Sequence, residues 1–216
     1  MKNIIDIYKE YKIMPNLAVH QFRVAAVAWQ ICESFNIDVD KDSIVKACLL
    51  HDMGNIIKFN LIQTQALFGL SDLEIQDAII VQNEFIQKYG KSEHEATVLI
   101  GRELGVSSYV LELIDCVDSS NLEILAMKDD FNKKICMYAD GRVTPHGVVS
   151  INERSREAKE RYQNHPNKFD EESRLHFNKN LGRMEQQIFS HSKIKPEDIN
   201  DESIKNYLEK LQNYSI

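Results

Sequence analysis

The sequence contains few of the residues that break helices. Among its 216 residues there are only eight glycines and four prolines. A β-sandwich or β-barrel of this length needs many tight turns, and such turns depend heavily on both residues. Long stretches without them favour helices, and only residues 143–151 show a short alternation of apolar and polar positions. We therefore predict an all-α fold.

The sequence also lacks an excess of positive charge and any long apolar run. Its formal net charge is −7, which argues against a nucleic-acid-binding surface, because such surfaces are rich in lysine and arginine. No segment approaches the roughly 18 uninterrupted apolar residues of a membrane helix. Charged residues interrupt the apolar positions at the N-terminus, unlike in a signal peptide. We expect a cytoplasmic protein with no nucleic-acid partner and no membrane partner.

Cysteine pairs with metal-binding spacing are missing as well. The four cysteines are Cys32, Cys48, Cys116 and Cys136; they form no CxxC motif and lie in apolar stretches. Reduced thiols in the core are therefore the expected state.

Helix start and stop signals recur at intervals that suit helices. Pro15-Asn16 caps a helix that runs from about Leu17 to Ser34. Asp42 or Ser43 begins the next, for which Gly54 suits the C′ position just beyond a helix end. Capping-box patterns begin further helices at Ser71, Ser92 and Ser150. The other predicted segments are a loop or short helix over residues 55–70, helices over residues 108–117, 121–127 and 131–143, a break at residues 164–167, a helix to about residue 190, and a last helix from Lys195 with Ile204, Leu208 and Leu211 buried.

Histidines and carboxylates stand at positions where the helical pattern favours apolar residues. His20 shares an apolar helical face, the pair His51-Asp52 ends an apolar helix, and Asp140 lies in another apolar helical stretch. Burying two imidazoles and two carboxylates is costly unless something compensates them, and a divalent metal does so. This set suits Mn, Mg, Fe, Co, Ni or Zn without selecting one. We predict a metal site formed by these four residues; a structural role in the core is the alternative for each.

The order of these motifs resembles the HD superfamily of metal-dependent phosphohydrolases. Residues 20–25, 49–54 and 138–140 are similar to its first, second and last motifs. The resemblance covers residues 15–145 and implies an HD-domain-type helical bundle, with residues 146–216 as a C-terminal helical extension. The chain length supports a single domain, residues 1–216. The resemblance implies hydrolysis of a small phosphorylated molecule, with a nucleotide as one candidate, by metal-activated water.

Further roles are expected around the metal ligands. Asp52 would orient or deprotonate the attacking water, and Arg23, one helical turn from His20, would stabilise charge that develops on phosphate. Lys58, His94 and Arg142 are candidates for binding substrate. Lys58 is otherwise a solvated side chain and Arg142 otherwise pairs with a glutamate of the tail. His94 is otherwise an extra metal ligand or a helix N-terminal residue.

Other functions and substrates stay open at this point. One alternative is a regulatory HD module that binds metal or nucleotide without turnover, and another is an HD-fold oxygenase with two metals. The oxygenase is disfavoured because only one histidine, His94, lies between Asp52 and Asp140. Asn55-Ile56 replaces the Glu-Asp pair of (p)ppGpp hydrolases, which disfavours that substrate.

Two further expectations concern the rest of the chain. The apolar side of the tail either covers the domain or forms a homodimer. Four histidines are expected to be exposed to solvent: His146, His165, His176 and His191.

Overall fold

Helices form nearly all of the structure. The computed structural model describes residues 2–163 and 170–216, apart from the side chain of Phe68. The α-helices are α1 (Ile4–Glu10), α2 (Pro15–Ser34), α3 (Lys41–Leu50), α4 (Leu61–Phe68), α5 (Asp72–Tyr89), α6 (Glu93–Glu103), α7 (Ser108–Cys116), α8 (Leu122–Met127), α9 (Phe131–Asp140), α10 (Ile151–Arg161), α11 (Glu171–Phe189) and α12 (Lys205–Leu211). Short 3₁₀ turns occupy Asn55–Lys58, Ser119–Asn121 and Pro196–Asp198. The all-α prediction is confirmed.

A small hairpin accounts for the alternating segment. Strands β1 (Val143–Thr144) and β2 (Gly147–Val148) pair antiparallel directly after α9. The hairpin also ends the helix predicted over residues 131–143 three residues early, at Asp140.

All three predicted serines cap their helices, but only two of the three predicted capping boxes are complete. Ser71 with Glu74 and Ser150 with Glu153 make complete capping boxes at the starts of α5 and α10. Ser92 accepts a hydrogen bond from the backbone N–H of the third residue of α6. The break predicted at residues 164–167, including His165, lies outside the described residues.

Gly54 is not a helix C′ residue, so that prediction is wrong. Helix α3 ends at Leu50, and Gly54 has φ −90°, which any residue can adopt. A Cβ atom at Gly54 would instead overlap the carbonyl oxygen of Glu93 and lie 2.8 Å from the Cβ of Ala96. The glycine therefore lets α6 pack directly against the loop that follows His51.

The last predicted helix is divided in two. The segment from Lys195 forms only a 3₁₀ turn, and α12 begins ten residues later. Between them the side chain of Asn200 accepts hydrogen bonds from the backbone N–H groups of Glu202 and Ser203, which diverts the chain from a helical path. Ile204 and Leu211 are fully buried, and Leu208 is partly buried.

Helix α2 lies at the centre of the core and packs against α3, α9 and α12. Its inner face carries Val24, Ala25, Ala28 and Ile31, each at most 1% exposed. The alanines allow neighbouring helices to approach closely, and each large apolar side chain contributes about 1.5–3 kcal/mol by burial. The same buried cluster includes side chains of α11 and α12 as well as all four cysteines, which are free thiols.

The division into residues 15–145 and 146–216 stays a prediction. Within the described residues, no helix has both the length and the apolar character needed to cross a membrane.

Candidate metal centre

Three helices bring the four predicted ligands together. His20 lies in α2, His51 and Asp52 follow the last residue of α3, and Asp140 is the last residue of α9. Helix α2 contacts both α3 and α9, and those two helices contact each other. The four side chains therefore meet only when this part of the bundle is packed.

The nitrogen and oxygen atoms of the group are close to one another. His20 Nε2 lies 3.1 Å from Asp140 Oδ1 and 3.6 Å from Asp52 Oδ2. His51 Nε2 lies 3.5 Å from each of the same two carboxylate oxygens. Atoms bound to one metal at about 2.1 Å lie roughly 3–3.4 Å apart when they are adjacent. The observed spacings are close to that range. His20, His51 and Asp52 each offer an atom within 4.8 Å of the others, and Asp140 lies close to both histidines but outside that three-residue group.

His51 is oriented as a metal-binding histidine. Its Nδ1 lies 2.8 Å from the carbonyl oxygen of Cys48, so Nδ1 donates a hydrogen bond to that oxygen. The side chain is 2% exposed. Among the described residues, Nε2 has no hydrogen-bond partner of normal geometry. A buried imidazole nitrogen without a partner is costly, and a metal ion would supply the missing interaction.

The electrostatic surroundings favour positive charge at this position. Burial disfavours the charged imidazole of His51, but the carboxylates of Asp52 and Asp140 outweigh it and raise its pKa to about 9. Burial also opposes ionisation of Asp140, yet the hydrogen bond from His20 and the charge of both imidazoles hold the pKa of that carboxyl well below its ordinary range. The C-terminal ends of α3 and α9 add partial negative charge. The group is therefore suited to a cation.

The comparison with protein families agrees with this geometry. The sequence model of the HD domain matches residues 17–140, more than half of the chain. The chain belongs to the HD domain family. The matched range contains all four predicted metal ligands. A search of curated proteins and a search of solved structures each found no match.

Arg23 lies one helical turn from His20 in α2. In the described structure, its polar contacts are to residues other than the four predicted ligands. Its Nη1 donates to the carbonyl oxygen of Pro145 at 3.2 Å, and its Nε lies 3.6 Å from Asp201 Oδ1. The side chain is 23% exposed. Sequence reasoning missed Asp201, because nothing in the motif order indicates that the tail reaches this helix.

Lys58 and His94 both lie at the start of α6, where the loop after α3 meets that helix. Lys58 Nζ is 3.6 Å from Glu93 Oε1, and His94 Nε2 is 2.8 Å from Asp115 Oδ1. In the described structure, the hydrogen bond and the ion pair of His94 go to Asp115 and to none of the four predicted ligands. The structure therefore pairs both side chains with carboxylates and leaves their roles toward substrate as predictions.

Arg142 is buried against the tail, so its contacts support the alternative interpretation, and its role in substrate binding stays a prediction. It is 3% exposed and donates hydrogen bonds to the carbonyl oxygens of Val149, Pro196 and Ile199 and to the hydroxyl of Tyr138. Its Nη1 also lies 3.9 Å from a carboxylate oxygen of Glu185 in α11, as in the alternative interpretation. Its guanidinium holds the tail against α9.

The remaining histidines divide into two groups. His146 and His176 are exposed, as predicted. His191 is only partly exposed and packs edge-on against Phe35 and Phe131, with ring centroids 6.3 and 5.0 Å away. The prediction of a solvent-exposed His191 is therefore wrong, because the end of α11 folds back onto these rings.

Proposed function

We propose that this HD protein is a metal-dependent phosphohydrolase that acts on a small phosphorylated molecule, with nucleotides as candidate substrates. The observation that carries the proposal is the convergence of His20, His51, Asp52 and Asp140, together with the Nε2 of His51, which has no hydrogen-bond partner among the described residues. These residues would hold one divalent ion, which could be Mn, Mg, Fe, Co, Ni or Zn. Such an ion lowers the pKa of water and polarises a phosphoryl oxygen.

In this proposal Asp52 would accept the proton from the attacking water. Its side chain is 19% exposed, so that solvent and substrate can reach it, whereas His51 is nearly closed off. Its Oδ2 lies 3.5–3.6 Å from both histidines, which leaves Oδ1 to accept a proton from the attacking water.

In this proposal Arg23 and Lys58 would bind the substrate phosphate, because their present ion pairs are weak. The pairs Arg23–Asp201 and Lys58–Glu93 are both 3.6 Å long and partly exposed. Such exposed pairs are worth about 0–1 kcal/mol. A phosphate group can therefore replace the carboxylate partner, and Arg23 would then stabilise negative charge on the phosphoryl oxygens.

The test combines metal analysis with a hydrolysis screen over nucleotides and sugar phosphates. We expect wild-type protein to carry metal and to release phosphate from at least one class. We expect Asp52→Ala to lose both properties, whereas Asp129→Ala, which removes an exposed carboxylate, should keep both. Full phosphatase activity in Asp52→Ala would overturn the assignment.

Two outcomes would favour the other HD functions. Bound metal without hydrolysis of any phosphate ester would indicate a regulatory module. Two irons per chain would indicate an oxygenase.

A further inference from the structure

Gln21 follows the predicted ligand His20 in α2, and its side chain faces the interior of the protein. Its side chain is 0% exposed. Its Oε1 accepts a hydrogen bond from the backbone N–H of Asp52 at 3.3 Å, across 31 residues of sequence. A side chain of α2 therefore holds the backbone of a predicted metal ligand on another segment.

This hydrogen bond replaces one that a continuing helix would make. If α3 went on for two more residues, the N–H of Asp52 would donate to the carbonyl of Cys48, four residues earlier. In the structure that carbonyl accepts from His51 Nδ1 instead, and the N–H of Asp52 turns to Gln21. One helical hydrogen bond is thus exchanged for two side-chain hydrogen bonds, and each of them orients one ligand.

Gln21 contributes little to folding stability through this contact. Among the described residues, its Nε2 has no hydrogen-bond partner although it is buried. One ordinary hydrogen bond at Oε1 does not offset the burial of an amide group whose two N–H donors are unpaired. An apolar side chain of the same shape would fill this space without that cost.

We propose that Gln21 is a positioning residue for the metal centre, an inference that rests on the proposed function. By holding the N–H of Asp52, it ends α3 at the point where His51 and Asp52 both direct their side chains toward His20 and Asp140. It acts on the metal through Asp52 and does not bind the metal itself.

The test is a titration of the full-length protein, stripped with chelator, with Co²⁺ alone, followed by absorbance. Gln21→Met removes the hydrogen bond while keeping the shape, and Gln21→Asn keeps an amide that is one methylene too short. We expect both variants to bind Co²⁺ about 10–100-fold more weakly than wild type, with a changed absorption spectrum. We also expect the thermal midpoint of stripped Gln21→Met to equal or exceed that of wild type, because its unpaired donors are gone.

Ser34→Ala is the matched control. Ser34 lies on the same helix, is also buried, and loses hydrogen bonds to Ile31 and Ser192 far from the metal centre. It should lower the thermal midpoint and leave Co²⁺ binding unchanged. Wild-type Co²⁺ affinity and spectrum in either folded Gln21 variant would overturn the inference while the proposed function stands. Absence of Co²⁺ binding by the wild type would overturn both.

Discussion

Two buried side-chain nitrogen atoms that lack a hydrogen-bond partner have different explanations. His51 Nε2 and Lys134 Nζ are both buried without a hydrogen-bond partner among the described residues. His51 faces two carboxylates, and a cation at that position would complete its surroundings. Lys134 is 1% exposed and lies over the ring of Phe131, with Nζ 4.9 Å from the ring centroid. We find no chemistry there that requires a lysine.

Replacing Lys134 should therefore stabilise the protein. Burial lowers the pKa of this lysine below its ordinary value of 10.5, although Asp129 and Asp130 partly oppose the shift. Lys134→Met removes a buried charge and keeps the length of the side chain, and we expect a gain of about 1–2 kcal/mol in unfolding free energy at pH 7. Urea denaturation measures it.

The pH dependence of this gain follows from the direction of the pKa shift. The folded state loses the proton at lower pH than the unfolded state, so the cost of burial is full below the folded pKa and disappears as pH rises toward 10.5. The advantage of Lys134→Met should shrink over that interval. An unchanged or lower stability of the variant at pH 7 would contradict this account of Lys134.

At the scale of elements, the contact between α6 and the loop after α3 supports the metal centre. Gly54 lies two residues after Asp52, and its N–H donates to Thr97 Oγ1 at 2.9 Å. The carbonyl of Glu93 occupies the space that a Cβ atom at Gly54 would need. The position of the metal-binding loop therefore depends on how closely α6 approaches it.

Gly54→Ala should separate these two elements. We expect a loss of about 1–3 kcal/mol in unfolding free energy, because a backbone carbonyl cannot rotate away as a side chain can, together with weaker metal binding. Gly182→Ala in α11 is the control, since its Cβ atom would meet no atom within 4 Å. Alanine there should stabilise the helix by up to about 1 kcal/mol. Equal stability of the two variants would contradict the packing argument.

Local signals predicted the helices, and distant contacts account for the errors. The capping boxes at Ser71 and Ser150 act within four residues, so the sequence could place both helix starts. Gly54 requires a glycine, but not because it ends a helix. The atom that requires the glycine is the carbonyl oxygen of Glu93, 39 residues later. The division of the last helix depends on the side chain of Asn200, which sequence periodicity does not register.

At the scale of the whole molecule, the tail is joined to the HD region through buried polar contacts as well as apolar ones. Arg142 connects α9 to the segment before α12, and Asp201 connects that segment to Arg23 and to the N–H of Val148. The candidate metal ligands could be predicted because each lies in a recognisable motif. The partners of the cations could not, because they come from the tail, far away in sequence.

Arg142 should therefore matter for stability. We expect Arg142→Ala to lower the unfolding free energy by about 3–5 kcal/mol, because it removes the donor of several buried carbonyl groups and the positive charge beside Glu185. Arg142→Lys should not restore stability, since a lysine cannot reach these acceptors with one planar group. The exposed Arg156→Ala serves as control. A stable Arg142→Ala protein with a raised KM would instead support a role in substrate binding.

Metal stoichiometry decides whether His20, His51, Asp52 and Asp140 hold one divalent ion. Metal content per chain should be measured by mass spectrometry for wild type, His51→Ala, Asp140→Ala and the control Asp129→Ala, after loading with Mn²⁺ and removal of free ion. We predict one ion per chain in wild type and in Asp129→Ala, and almost none in the other two. Wild-type metal content in folded His51→Ala or Asp140→Ala would contradict the claim.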